Sequence, residues 1–455
     1  MLLNAAPHII WPMEFVLPHD SHLRPYWLIQ LGLKIYDFLG FGFKRGTAKL
    51  KSSTALDFST DKMGDPLHNT YKRGFSYADC WVQDSRMVTL NAVDAYERGA
   101  VIMPRTACIG LEPSHDKDGW DVNLQNVTTG DTFQIKARQV VNAAGPWVRD
   151  LLDNSKLTED TDKQMDTTPH VRLVKGSHII IPRLYEGEQS YILQQPDNRI
   201  VFAIPYEHQY TLVGTTDKPF DGDAANVTID DDEVDYLCAA INRSFKTQIS
   251  ADDVATSYSG VRSLLDDGNE NASKVTRDYK LFLDKKYGPP ILSVFGGKIT
   301  TYRKLAEDVV NRLSTFYPDR KMKPWTEYVT LPGGDIPDAD FEGYVAQQQE
   351  TYDFMPPNVL RRYIRAYGTR FKAIIGSAQS LNALGTHYGN HVYSAEILYL
   401  LRYEFATTLE DIMWRRSKLG IHVSRETKQH LEVDFAKLIS IVKNEDNNYA
   451  HFARN

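Results

Sequence analysis

Apolar and polar residues recur with two different periods along this chain, and the period separates predicted helices from predicted strands. Segments with helical spacing precede residue 330 in four places. They are Leu23–Leu39, Asp84–Gly99, Asp230–Phe245 and Lys298–Phe316. The first has only a narrow polar stripe, Gln30, Lys34 and Asp37. It therefore predicts either a mostly buried helix or a helix that lies on a membrane surface.

Short apolar runs bounded by turn residues predict strands in the same part of the chain. A short strand at 101–103 precedes a β-meander and its return strand, at Cys108–Leu111, Trp120–Leu124, Thr132–Ala137 and Gln139–Ala144. Four runs between His178 and Thr216 have the spacing of an antiparallel sheet. Further strands are predicted at Val254–Leu265, Tyr279–Asp284 and Pro290–Phe295.

Residues 331–338, Leu-Pro-Gly-Gly-Asp-Ile-Pro-Asp, predict a linker because glycine and proline interrupt regular structure. Helical periodicity dominates after it, at Asn358–Tyr367, Ser394–Thr407 and Thr408–Leu419. A capping box, Thr407–Glu410, marks the start of the last helix. We therefore predict a mixed α/β fold in residues 1–330, followed by an all-helical domain in residues 331–455.

Composition restricts the function without defining it. The chain has 455 residues, and its 42% hydrophobic and 24% charged content is typical of globular proteins. The net charge of −7 gives no reason to expect a nucleic-acid partner. No apolar run approaches the roughly 20 residues of a membrane span. Cysteines 80, 108 and 238 are too widely spaced for a zinc site, and we predict no metal site.

Two turns are candidates for binding a ligand. In Leu292–Glu307, a predicted strand is followed by Gly296 and Gly297 and then by a helix. The glycines permit close approach of the backbone, and the helix N-terminus together with Lys298 favours an anion. The second turn begins at Gly145, directly after a predicted strand, and could also lie against a ligand.

Several polar side chains each allow a structural and a chemical interpretation. His178, at the start of a predicted strand, is either a structural histidine or a general base. Arg262 either forms a surface salt bridge or, with Lys298, holds a phosphate or carboxylate. Residues 215–217, Thr-Thr-Asp, form either a simple turn or a ligand contact.

A basic and aromatic cluster lies in the helical region. It could face anionic lipid, or it could be a solvated helix face. Its members are Arg361, Arg362, Arg365, Arg370, Lys372, Arg415, Arg416 and Lys418, interleaved with Tyr363, Tyr367 and Phe371.

Several long motifs occur in one order and, taken together, resemble the FAD-dependent, respiratory glycerol-3-phosphate dehydrogenase family. The resemblance covers nearly the whole chain, including the helical region. The motifs are LPHDSHLRPYW (17–27), RGFSYADCWVQDSR (73–86), VVNAAGPWV (140–148), RLVKGSH (172–178), VGTTD (213–217), YSGVR (258–262), SVFGGKITTYRKLAE (293–307) and LPGG (331–334).

The resemblance implies a doubly wound FAD-binding domain interleaved with an antiparallel substrate domain in residues 1–330. It implies oxidation of sn-glycerol 3-phosphate to dihydroxyacetone phosphate, with hydride transfer from C2 to N5 of FAD and electrons passed to a membrane quinone. It further implies a cytoplasmic protein held peripherally on the inner face of the cytoplasmic membrane. A homodimer is a further hypothesis.

The resemblance also assigns roles to individual residues. His178 matches the histidine beside the reacting carbon, and we take it as the base. Arg262 and Lys298 match residues that hold the substrate. Two segments match the family's contacts to the flavin ring and its phosphates. They are the turn at Ala144 and Gly145, and the run of Gly296, Gly297, Lys298, Ile299 and Thr300.

The sequence departs from the family at its start. The family begins with a strand–Gly-x-Gly-x-x-Gly–helix unit that holds the pyrophosphate, and this sequence contains no such fingerprint. Met1–Met13 has the character of a helix tail without a start. Loss of a central strand removes buried side chains worth roughly 1.5–3 kcal/mol each. We therefore expect a truncated FAD-binding domain and weak or absent FAD binding. A smaller departure is Ser263, where the family usually has proline.

Three functional hypotheses follow. The first is a glycerol-3-phosphate dehydrogenase whose sequence lacks the N-terminal unit. The second is a non-enzymatic remnant of that enzyme, unable to hold FAD. The third is another member of the wider flavin amine-oxidase-like class with a different substrate. Arg262 and Lys298 argue against the third, because an uncharged amine does not need two cations.

Overall fold

Sheets and helices alternate up to about residue 320, and helices dominate afterwards. The computed structural model of the chain describes residues 2–41, 50–116, 118–155, 157, 169–266, 278–286, 288–319 and 323–452. The strands are β1 (Ile10–Pro18), β2 (Thr54–Asp57), β3 (Arg73–Val82), β4 (Thr106–Pro113), β5 (Trp120–Asn126), β6 (Thr132–Ala137), β7 (Val140–Asn142), β8 (Val171–Pro182), β9 (Ser190–Gln194), β10 (Ile200–Tyr206), β11 (Tyr210–Gly214), β12 (Lys218–Pro219), β13 (Thr256–Leu265), β14 (Tyr279–Asp284), β15 (Ile291–Gly296), β16 (His387–Gly389) and β17 (Val392–Tyr393).

The helices vary from a single turn to 28 residues. They are α1 (Leu2–Ala5), α2 (Tyr26–Phe41), α3 (Asp84–Glu97), α4 (Val148–Asn154), α5 (Asp231–Ser244), α6 (Tyr302–Ser314), α7 (Phe341–Thr351), α8 (Pro357–Tyr367), α9 (Phe371–Ile375), α10 (Ser394–Tyr403), α11 (Leu419–His422) and α12 (Arg425–Phe452). The mixed α/β class with a helical C-terminal region is confirmed. The boundary at residues 330/331 remains a prediction.

The largest sheet is mostly antiparallel and has the order β12-β8-β11-β10-β9-β1-β3-β2, with β13 paired along β8. The predicted antiparallel group between His178 and Thr216 forms its centre. Helix α5 covers one face and buries Leu237, Ile241 and Phe245 against the sheet. Burial of each such side chain contributes roughly 1.5–3 kcal/mol, so this layer supports the strands that carry the candidate base.

A smaller sheet, with the order β14-β15-β7, combines an antiparallel and a parallel pair. The predicted meander, β4-β5-β6, packs beside it together with α4. Trp120, Val148 and Phe295 join these elements in one core and are fully buried. Because β7 and β15 run parallel, the chain leaves both strands at the same edge of the sheet.

Three local predictions were wrong in detail. Residues 101–103 are not a strand, because the run is too short to find a partner. The return strand covers only Val140–Asn142, since the chain turns from Ala144 onward. Asp411, rather than Glu410, accepts hydrogen bonds from the backbone N–H groups of Thr407 and Thr408 at 3.0 Å.

Helix α2 contradicts the prediction of a mostly buried helix. One side, with Tyr26, Ile29 and Leu33, packs against the sheet. On the other side Trp27 and Phe38 are 65% and 78% exposed. That outer surface, which we call the α2 stripe, also exposes Leu28, Leu31, Ile35 and Leu39.

Most of the basic and aromatic cluster is engaged in contacts within the protein, although Lys372 and Arg415 are exposed. Several of its cations form ion pairs between elements, such as Arg362–Glu396 and Arg370–Glu97. Arg365 lies over the ring of Phe341, with its guanidinium carbon 3.4 Å from the ring centroid. These contacts hold the helical region together and join it to the remainder of the fold. That the cluster faces anionic lipid stays a prediction.

The most buried of these junctions is an ion pair between Arg86 of α3 and Glu404, which follows α10. The two side chains are 2% and 1% exposed, and Nη2 of Arg86 lies 2.8 Å from Oε1 of Glu404. Arg86 also donates to the carbonyl oxygens of Ala366 and Arg416 at 2.9 and 3.1 Å. All of these acceptors lie in the helical region, so Arg86 anchors α3 to it.

Candidate active site

Strand pairing places the predicted base and the predicted substrate cation on one face of the large sheet. In the β8–β13 register, Tyr258 lies opposite His178, Gly260 opposite Gly176, and Arg262 opposite Val174. Side chains two residues apart in a strand point to the same face. A hollow therefore lies on this face at Gly260, between His178 and Arg262. A Cβ added to Gly260 would meet nothing within 4 Å, whereas a Cβ on Gly176 would meet Oγ1 of Thr215 at 2.7 Å and Nη2 of Arg262 at 3.3 Å.

His178 is held from two sides. Its ring stacks on Tyr258 with centroids 4.9 Å apart, and it lies over Gly214 of β11. Its Nδ1 is buried and has no hydrogen-bond partner among the described residues. Burial, and then the positive charge of Arg262, lower the pKa of His178 to about 4. The imidazole is therefore neutral at pH 7 and able to accept a proton.

Arg262 is positioned by the turn that follows β11. It forms an ion pair with Asp217, and its Nη2 lies 3.5 Å from Oγ1 of Thr215. Residues 215–217 therefore form a turn, as one interpretation predicted, and this turn holds the guanidinium of Arg262 in the candidate site. A guanidinium oriented in this way can bind a phosphate through two parallel hydrogen bonds. A direct contact of the turn with a ligand stays a prediction.

The two glycine turns meet at the carboxyl edge of the parallel pair β7–β15, which is the usual ligand edge in α/β sheets. Gly145 has φ +57°, and a Cβ there would meet nothing within 4 Å. Gly296 and Gly297 also have positive φ, of +73° and +111°. A Cβ on Gly296 would lie 2.8 Å from the carbonyl oxygen of Asp278, and one on Gly297 would lie 3.2 Å from Leu305. Of the three glycines, Gly145 therefore leaves its backbone open to a flat ligand, and its turn fits a flavin at this end of the site.

Ser263 connects this edge to the substrate face. Its Oγ donates to the carbonyl oxygen of Gly145 at 3.2 Å. Asn142 orders the same turn, since its side chain donates to the carbonyl of Val148 at 2.8 Å and accepts from the N–H of Ala144 at 3.3 Å. The departure from proline at residue 263 thus adds a contact that proline could not make.

The last predicted segment lies just beyond the glycine pair. Lys298, Ile299 and Thr300 are exposed, and a 3₁₀ turn, Ile299–Thr301, precedes α6. In the described part of the chain, no contact joins Lys298 to His178 or Arg262. The structure therefore brings together His178, Arg262 and the Gly145 turn. The substrate role of Lys298 remains a prediction.

Family models match both parts of the chain. Residues 2–303 match "FAD dependent oxidoreductase", and residues 324–442 match "C-terminal domain of alpha-glycerophosphate oxidase". The glycerol-3-phosphate dehydrogenase of Pseudomonas aeruginosa is 44% identical over 427 residues, covering 93% of this chain and 79% of that protein. This chain belongs to the FAD-dependent glycerol-3-phosphate dehydrogenase family. The predicted resemblance and the predicted FAD dependence of the family are confirmed.

Two further proteins are similar to this chain, one in sequence and one in fold. The D-erythritol 1-phosphate dehydrogenase of Brucella abortus is 46% identical over 424 residues, covering 93% of this chain and 82% of that protein. The glycerol-3-phosphate dehydrogenase of Bacillus halodurans, solved with FAD, superposes with a TM-score of 0.75. It is 23% identical, and the match covers 100% of this chain and 82% of that one, so it supports the fold alone.

Three contributors to the site, Tyr258, Gly214 and Asn142, were missed by sequence reasoning in this dehydrogenase family member. Tyr258 stands in a quoted motif, but its partner His178 is distant in sequence. Asp217 was a candidate, but its pairing with Arg262 was not predicted. Gly214 contributes the space that the His178 ring occupies, and the buried amide of Asn142 contributes hydrogen bonds that order the Gly145 turn. Among the described residues, no group of histidine, cysteine, aspartate and glutamate side chains could hold a metal ion. No helix in that part of the chain is long and apolar enough to cross a membrane.

Proposed function

We propose that this chain oxidises the C2 hydroxyl of sn-glycerol 3-phosphate to give dihydroxyacetone phosphate. The observation that carries this proposal is the shared face of His178 and Arg262 next to the Gly145 turn. FAD, when bound, supplies the hydride acceptor. Its contacts would come from Ala144 and Gly145 and from the run of Gly296, Gly297, Lys298, Ile299 and Thr300.

The side chains of the candidate site bind the substrate and accept its proton. Arg262 binds the phosphate, and its approach through two nitrogens fixes the orientation of the three-carbon chain. His178, neutral at pH 7, takes the hydroxyl proton as the C2–H bond breaks. Tyr258 keeps the imidazole plane fixed, and Lys298 adds positive charge that favours the anionic form of the substrate.

A four-carbon polyol phosphate is a second candidate substrate. The similarity to the Brucella abortus enzyme is as high as that to the glycerol-3-phosphate dehydrogenases. The chemistry at the phosphate and at the adjacent hydroxyl is the same in both substrates. The hollow at Gly260 leaves space for the longer chain, since a Cβ there would meet nothing within 4 Å.

The test is substrate-dependent bleaching of the flavin absorbance of the purified full chain with added FAD. Glycerol 3-phosphate and erythritol phosphate are compared as substrates. We expect bleaching, and we expect Arg262→Met to raise KM by about 10- to 100-fold, since hydrogen bonds to charged groups are worth roughly 1.5–3 kcal/mol. Arg98→Met is the control, because Arg98 is 46% exposed and contacts Asp94 and the ring of Trp325 rather than a group of the candidate site.

Failure of the chain to bind FAD would overturn the proposal. It would support the second hypothesis, a non-enzymatic remnant. Bleaching by erythritol phosphate alone would keep the reaction class and change the substrate.

We further propose that the α2 stripe lies on the inner face of the cytoplasmic membrane, where the enzyme delivers electrons to quinone. The stripe presents Trp27, Leu31, Ile35 and Phe38 along one side of a 16-residue helix. Contiguous exposed apolar surface of this kind is typical of helices that lie in the lipid headgroup region.

Vesicle flotation tests the membrane proposal. The full chain is expected to float with vesicles of phosphatidylethanolamine and phosphatidylglycerol, and Ile35→Glu/Phe38→Glu is expected to stay in the dense fraction. Val433→Glu is the control, because Val433 is an apolar residue that is 81% exposed, on helix α12. A homodimer that buries the stripe would instead double the mass in light scattering and leave the protein unbound to vesicles.

A further inference from the structure

The face of β8 and β13 that points away from the hollow carries a buried polar network around Glu233 of α5. The Glu233 carboxylate accepts at Oε1 from the hydroxyls of Thr216 and Ser177, at 2.6 and 2.9 Å. At Oε2 it accepts from the ammonium of Lys175 at 2.8 Å and from the N–H of Asp230 at 3.0 Å. We call these five residues the Glu233 network.

The centre of the network is buried and hydrogen-bonded, whereas Asp230 lies at its exposed end. Glu233 is 2% exposed, and Ser177 and Thr216 are 0% and 1% exposed. A buried carboxylate is retained only where donors compensate the lost hydration. Burial alone would raise the pKa of Glu233, but the bonds from Lys175 and Thr216 outweigh it and lower the pKa. Glu233 therefore remains charged at pH 7, as a fixed anion in the first turn of α5.

Each hydroxyl in the network lies one residue from a group of the candidate site. Ser177 precedes His178 in β8. Thr216 lies between Thr215 and Asp217, the two residues that contact Arg262. The N–H of Ser177 also donates to Oγ1 of Thr216 at 2.9 Å. One carboxylate thus joins the strand that carries the base to the turn that orients the cation.

We propose that Glu233 is a positioning residue. Through Ser177 and Thr216 it fixes the distance between His178 and Arg262, although it touches neither. This inference rests on the proposed function, because it assigns Glu233 to the same polyol phosphate site. A displacement of about 1 Å between two substrate-binding groups can cost about 100-fold in rate.

The test compares two buried threonines, Thr211 inside β11 and Thr216 in the turn that follows β11. Thr216 and Thr211 are each 1% exposed, and each hydroxyl accepts from a backbone N–H, at 2.9 and 3.0 Å. Valine has the same shape as threonine and removes only the hydroxyl. We expect Thr216→Val to lower kcat/KM for the polyol phosphate by about 10- to 100-fold. Thr211→Val is expected to lower the melting temperature similarly but to keep kcat/KM within about twofold of the wild type.

Two further variants separate positioning from stability. Thr216→Ser keeps the hydroxyl and is expected to restore kcat/KM. Glu233→Gln is expected to reproduce the loss, since the amide cannot accept from all four donors. The proposal is wrong if Thr216→Val keeps kcat/KM within twofold of the wild type, or if Thr211→Val loses as much.

A second readout does not depend on catalysis. In protein with ¹³C-labelled histidine, the His178 signal is assigned by its loss in His178→Asn. Thr216→Val is expected to shift that signal, whereas Thr211→Val and Thr216→Ser are expected to leave it in place. An unmoved His178 signal in Thr216→Val overturns the positioning role. If the wild type oxidises no polyol phosphate but the signal shifts as expected, the proposed function fails and the positioning of His178 by the network stands.

Discussion

Gly214→Ala is expected to lower kcat/KM for the polyol phosphate by about 100-fold or more. A Cβ at residue 214 would lie 2.6 Å from Cγ and 2.7 Å from Nε2 of His178, inside van der Waals contact. The imidazole must then leave its position between Gly214 and Tyr258. Overpacking of this kind also costs about 1–3 kcal/mol of stability, so the protein should still fold. Steady-state kinetics and thermal unfolding of the purified variant measure both effects.

A strand glycine with free space is the control for this substitution. A Cβ at Gly110 would approach only the Asn123 side chain, at 3.8 Å, so Gly110→Ala is expected to change neither property. Gly214→Ala in a His178→Asn background should add little further loss, because both changes act on the same group. Additive losses in the double variant would show that Gly214 acts by another route.

Glu404→Ala is expected to destabilise the protein by about 3–5 kcal/mol. That cost is typical when one partner of a buried ion pair is removed and the other charge remains. Arg86 would keep its bonds to the carbonyl oxygens of Ala366 and Arg416 but would have no buried anion. Urea unfolding measures the change as a lower midpoint with an unchanged slope.

A second ion pair between the same regions provides the comparison. Arg370 and Glu97 also join α3 to the helical region through two hydrogen bonds, but their side chains are 30% and 42% exposed. Glu97→Ala is therefore expected to cost about 1 kcal/mol or less. Equal losses in the two variants would mean that burial does not determine the strength of these junctions.

The sequence predicted elements and candidate residues better than it predicted their surroundings. The strand that carries Arg262 was placed correctly, because apolar runs and turn residues are local signals. The strand that carries His178 begins at Val171, seven residues earlier than predicted, so His178 lies inside it rather than at its start. The common face of the two residues depends on the register between β8 and β13, which are more than 70 residues apart in sequence. No local pattern contains that register. The pairing of Arg262 with Asp217 was hidden for the same reason.

The errors have similar physical causes. The periodicity of α2 identifies a polar stripe, but it does not show whether another element packs on the rest of the helix. In the structure the outer apolar side is exposed. The capping box near Thr407 was assigned to Glu410, because Glu410 fits the sequence pattern. In the structure the next residue, Asp411, accepts the capping hydrogen bonds. Glu233 is one of three acidic residues in the first turn of α5, and only the four donors that surround it in the structure distinguish it.

The bond from Ser263 to the Gly145 carbonyl has a thermodynamic consequence. Arg262 and Ser263 are consecutive in β13, so their Cα atoms are about 3.8 Å apart across a single peptide unit. A phosphate that pulls on Arg262 therefore also moves the residue that holds the Gly145 turn. Coupling free energies between two binding events are reciprocal. Occupation of the Arg262 site should then change the affinity at the Gly145 turn, and the reverse, so this one peptide unit would link the two ligands of the proposed function energetically.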